Sequence, residues 1–97
     1  MAKNKYFLSL HKGSHFVYVS AKAREKLGGN FDFLCNAKTH EIAVVSSDNG
    51  RKSYHQGVPN MGRVIRELIK SWGYEVKRRY ELTWHEDTKC FTFCVEV

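Results

Sequence analysis

Ninety-seven residues, 42% of them apolar and 13% aromatic with a single proline, are enough to bury a core without disulfide staples, and they exclude a disordered tail. Sixteen Lys and Arg against ten Asp and Glu leave a formal charge of +6, which points to an anionic partner without naming a site. No apolar run is long enough to cross a bilayer and no signal-peptide core follows the N-terminal MAKNKY, so a cytoplasmic protein with no membrane partner is expected.

Phe, Tyr, Val and Thr crowd both ends of the chain, so a β-rich α+β fold is expected. Tyr6 to Leu10 alternates apolar and polar residues, and Lys12-Gly13-Ser14 turns it into a second strand at Phe16 to Val19. That period breaks at Ser20, where a short helix is predicted: Ser20 as N-cap, Ala21 to Leu27 as helix, and Gly28-Gly29 as its end. About two turns cannot stand alone in water, so Ala23 and Leu27, four residues apart, must pack on a core. Phe31, Phe33 and Cys35, then Ile42 and Val44, predict a hairpin turning at 36–39. Asp48-Asn49-Gly50 stops the chain, and Arg51 to His55 reads equally as an edge strand or a loop.

Asn60 is expected to cap the strongest helix, whose stripe of Met61, Val64, Ile65, Leu68, Ile69 and Trp72 ends at Gly73. Its opposite edge carries Arg63, Arg66 and Lys70. A charged connector, Glu75 to Arg79, leads to a last hairpin of Tyr80, Leu82 and Trp84 against Phe91, Phe93 and Val95. The predicted core is Val17, Val19, Leu27, Phe33, Ile42, Val44, Leu68, Trp72, Leu82 and Phe91.

The cysteines, Cys35, Cys90 and Cys94, form no C-x-x-C pair, and on a strand Cys90 and Cys94 would stand about 13 Å apart, too far for one zinc ion. Reduced, metal-free thiols and no cofactor are therefore expected. Neither a nucleophile elbow, nor H-E-x-x-H, nor a phosphate-cradling glycine loop is present, which argues against an enzyme. Interleaved aromatic and basic residues, Trp72, Tyr74 and Lys77 to Tyr80, are of a kind that stacks single-stranded bases, although Trp72 fits the helix core better.

Displaced by 49 positions, FDFLCNAKTHEIAVV falls on YELTWHEDTKCFTFC with apolar positions and turns coinciding, so a single domain of two strand-helix-hairpin units, 1–50 and 51–97, is expected. Charge follows the same period: +5 over residues 1–26, −2 over 27–50, +6 over 51–79 and −3 over 80–97. Stacking the units in register would gather both basic blocks at one end.

Val17 to Val19, the basic helix residues Lys22, Arg24 and Lys26, Leu27-Gly28 and the hairpin from Phe31 to Val45 resemble the DNA-binding unit of the AbrB/SpoVT-like transition-state regulators and related antitoxins. Ser20 stands where that family usually has a proline, and Gly13 or His15 stands near its Gly-Arg pair. The resemblance implies a swapped-hairpin barrel, made by a homodimer or by the two units of a single chain, and double-stranded DNA as partner. It implies a transcriptional regulator or antitoxin-like repressor contacting DNA through Lys22, Arg24 and Lys26, with His15 near the family's Gly-Arg place; the basic blocks add Lys12, Arg51, Lys52, Arg63 and Arg66 to the expected DNA surface. The second function compatible with the charge pattern is an inhibitor or adaptor module whose basic face meets an acidic protein.

Overall fold

The computed structural model describes residues 5–11, 15–52 and 58–95. Two antiparallel sheets and two helices make a strand-rich α+β fold. The first sheet holds β1 (Phe7–Leu10), β2 (Val17–Val19) and β6 (Arg79–Glu81) in the order β2-β1-β6. The second holds β3 (Asn30–Asn36), β4 (Glu41–Ser46), β5 (Arg51–Lys52), β7 (Thr83–His85) and β8 (Cys90–Cys94) in the order β5-β3-β4-β8-β7. Only Leu82 separates β6 from β7, so one extended stretch serves both sheets; its N–H donates to the Tyr6 carbonyl at 3.0 Å.

The closed swapped-hairpin barrel is not what the described residues form. Closure would need a ladder between the free edges, β2 and β5, and the contact on that side is one antiparallel bridge between Val17 and Val58. The two long hairpins pair with each other within the chain, through β4 and β8. Their turns are alike: Asn36 faces Glu41 and His85 faces Cys90, and the turns end on left-handed residues His40 (φ 57) and Lys89 (φ 55).

Helix α1 (Ala21–Leu27) buries Ala23 and Leu27 as its spacing requires, and Gly28 ends it at φ 85. Ser20, however, makes no side-chain cap. Buried between strands, its hydroxyl accepts from the Phe7 N–H at 3.2 Å and donates to the Lys5 carbonyl at 2.8 Å, tying the start of α1 to β1. Asn60 also fails as a side-chain cap: it is left-handed at φ 68 and turns the chain into α2 (Met61–Ser71).

The core gathers Leu8, Leu10, Val17, Val19, Phe31, Ile42, Val44, Val58, Ile65, Ile69, Leu82 and Phe91 from both sheets and α2. Phe33, Leu68 and Trp72, expected inside, are half-buried at its margin, and Val64 is 54% exposed. The helix stripe thus turns through Met61, Gly62, Ile65 and Ile69, because the close seat of Gly62 on the backbone of His15 and Phe16 sets its rotation.

Candidate nucleic-acid interface

The basic residues separate into two groups at opposite ends of the sheets. α1 starts where Ser20 meets Phe7, and its last carbonyl, Leu27, accepts from the Ser46 hydroxyl at 2.7 Å at the far end of β4. α2 starts against the other end of the first sheet, where the Gly62 N–H donates to the His15 carbonyl at 3.1 Å. It finishes near the opposite end of β4, where the Tyr74 hydroxyl lies 3.1 Å from His40 Nδ1. Gathering both basic blocks at one end is therefore not what the fold does: each helix occupies its own end.

On the α1 side, Lys22 is exposed and 3.8 Å from Glu25. Arg24 is half-buried, with Nε donating to the Val19 carbonyl at 3.0 Å and the guanidinium 5.8 Å from the centre of the Tyr18 ring. Lys26 lies over the Trp84 ring at 4.8 Å. Arg51 and Lys52 form the exposed strand β5 opposite Phe31 and Asn30, close to the glycines that end α1; this settles the edge strand for those two residues. Residues 53–57 of that segment, and Lys12, lie outside the described residues.

On the α2 side, the fold builds a groove of about 550 Å³ lined by Leu10, His11, Arg66, Lys70, Glu75, Val76, Lys77 and Arg78. Arg66 and Lys70, four residues apart, project from one edge of α2, and Lys77 and Arg78 close the other wall. Arg66 is held by its own helix, with Nε to the Gly62 carbonyl at 3.3 Å, and reaches the His11 carbonyl with Nη1 at 3.5 Å. The connector is fixed by the Arg78 carbonyl, which accepts from the Leu10 N–H at 2.8 Å, and by the Lys77 N–H, which donates to the Tyr80 hydroxyl at 2.9 Å. Four cationic side chains against Glu75 give the groove, floored in part by Leu10 and Val76, a net positive charge that favours anions. Arg63 and His15 are exposed, Arg63 one turn before Arg66 and His15 beside the start of α2, its ring 4.4 Å from that of Phe16.

Of the described residues expected to contact DNA, Arg66 alone lines the groove, with Arg63 and His15 nearby; Lys22, Arg24, Lys26, Arg51 and Lys52 belong to the other end. Lys77 and Arg78 were legible as a charged connector and as part of a stretch of interleaved aromatic and basic residues, not as duplex contacts. The run Lys77-Arg78-Arg79 is the densest cationic triplet in the sequence and is the signal that could have drawn them in.

Among the described residues no three His, Cys, Asp or Glu side chains gather as metal ligands, and the three thiols are free, Cys90 buried and Cys35 and Cys94 exposed. No helix among the described residues is long and apolar enough to cross a membrane. Comparison with family models, curated proteins and solved structures gave no match to this chain.

Proposed function

We propose that the protein binds double-stranded DNA by its phosphate backbone, in the groove between α2 and the connector at residues 75–78. The observation that carries this reading is the apposition of Arg66 and Lys70 with Lys77 and Arg78 across one concave surface. Phosphate contacts orient a protein on a duplex and supply most of its sequence-independent affinity. The exposed cations of α1 and β5 are a second, weaker contact surface; the AbrB/SpoVT resemblance assigns those of α1 to DNA, and regulation of transcription is the role that it suggests. The same proposal takes the chain as two related halves, supported by the shared turn geometry of the two hairpins at His40 and Lys89 and by the pairing of β4 with β8.

A duplex titration at several salt concentrations tests the reading. Four groove contacts give a slope of log affinity against log salt of roughly −3 to −4, at about −0.9 per phosphate. Lys77→Glu weakens binding and makes that slope shallower by roughly one unit or more. Absence of duplex binding at about 50 mM salt, together with retention on an acidic protein, replaces DNA with the adaptor or inhibitor role.

A further inference from the structure

The outer face of the first sheet is not the polar surface that a half-solvated antiparallel sheet usually presents. Leu8, Leu10, Val17, Val19 and Tyr80 turn inward, which leaves Phe7 and Ser9 of β1, Tyr18 of β2 and Arg79 and Glu81 of β6 on the outside. Ser9 is the centre of this face, opposite Tyr18 on one side and Arg79 on the other. Phe7 lies diagonal to both. Its ring centre is 6.0 Å from that of Tyr18, and the Arg79 guanidinium lies 3.8 Å above it. Arg24 completes the row, 5.8 Å from the Tyr18 ring centre. Glu81, 3.4 Å from Arg79 Nε, holds the guanidinium in place.

The result is a pair of neighbouring rings, Phe7 and Tyr18, flanked by the cations Arg79 and Arg24, with the small Ser9 between Tyr18 and Arg79. We infer that this face is a stacking platform for a single-stranded nucleic acid. The Arg79 guanidinium covers the Phe7 ring, so the stacking surfaces are that guanidinium plane and the half-exposed Tyr18 ring, tilted 42° from Phe7; both are of a kind that every base can stack on, and Arg24 and Arg79 supply charge for the phosphates. A partner without both a π-face and negative charge would use only half of this row. Lys77, Arg78 and Arg79 are consecutive, so the cationic wall of the groove runs directly onto the platform. The platform goes beyond the duplex reading and does not rest on it.

Stacking and phosphate neutralisation are separable, because stacking releases no condensed counterions. Fluorescence anisotropy with a homopyrimidine single strand about 16 nucleotides long, and with a duplex of the same length, makes the distinction. Tyr18→Ala is expected to weaken single-strand binding by about 5- to 100-fold with the salt slope unchanged, and to leave duplex binding as it was. Tyr18→Trp keeps a stacking ring and retains single-strand affinity, which separates loss of the platform from loss of the fold. Lys77→Glu is expected to reduce duplex binding and its salt slope. Equal single-strand affinity for Tyr18→Ala and wild type, equal losses on both nucleic acids, or no single-strand binding by the wild type overturns the platform. Only the effect of Lys77→Glu on the duplex bears on the groove.

Discussion

Gly62 sits so close to Phe16 that a Cβ built on it would stand 2.4 Å from the Phe16 carbonyl oxygen and 2.7 Å from its carbonyl carbon. Both are backbone atoms with no freedom to swing aside. In an isolated helix Gly→Ala gains about 1 kcal/mol; here the helix would have to lift off β2, giving up part of the burial of Ile65 and Ile69. Gly62→Ala is therefore expected to lower the melting temperature, the opposite of the helix-propensity effect, as read by thermal denaturation followed by circular dichroism.

Ser20→Ala is expected to cost about 1–3 kcal/mol in chemical denaturation. The loss has nothing to do with helix capping: the substitution strands the Phe7 N–H and the Lys5 carbonyl, both of which depend on the Ser20 hydroxyl. Amide exchange at Phe7 should accelerate in the variant while that at Arg24, which bonds to the Ser20 carbonyl at 3.0 Å, changes less.

The two faces of α2 should respond differently to truncation. Ile69, fully buried, is expected to lose about 2–5 kcal/mol on replacement by alanine, and Val64, 54% exposed, within about 0.5 kcal/mol of nothing. Equal urea midpoints for the two variants would mean the helix is rotated from the position described.

Alkaline pH should weaken the fold through Tyr80. Burial pushes its phenol above the ordinary 10.0, and the Lys77 N–H donated to its oxygen pulls less strongly the other way. With the folded value raised, the stabilisation is complete below the unfolded value and is lost as pH rises from there through the folded one, because the unfolded chain gives up its proton first. Urea midpoints measured from about pH 9 to pH 11 should fall, and Tyr80→Phe should flatten that fall while costing about 0.5–1.5 kcal/mol at neutral pH for the lost acceptor.

Local pattern carried much of this molecule. The alternation of Phe31 to Val45, the four-residue spacing of Ala23 and Leu27, and the matching turns of the two hairpins all follow from the period of a strand or a helix, and each is visible without knowledge of the rest of the chain. What failed did so where distant backbone decided. Ser20 has the chemistry of a cap but its hydroxyl bonds the backbone of Lys5 and Phe7 instead, and Val64 fits an apolar stripe that the seat of Gly62 turned outward. The groove was hidden for the same reason: Arg66 and Lys77 belong to different segments, and only the packing of α2 beside the connector makes them neighbours.

The passage of one strand through Leu82 ties the two sheets into a single cooperative unit. β6 is the partner of β1 and β7 the partner of β8, and Leu82 between them is buried with its N–H bonded to Tyr6. Neither sheet can release its edge without pulling the register of the other, so a partial opening that frees one sheet alone has no low-energy route. Slow-exchanging amides should therefore meet at the junction, Leu82 protected through the Tyr6 carbonyl and Thr83 through its pairing with Thr92, and unfolding should proceed as a single transition.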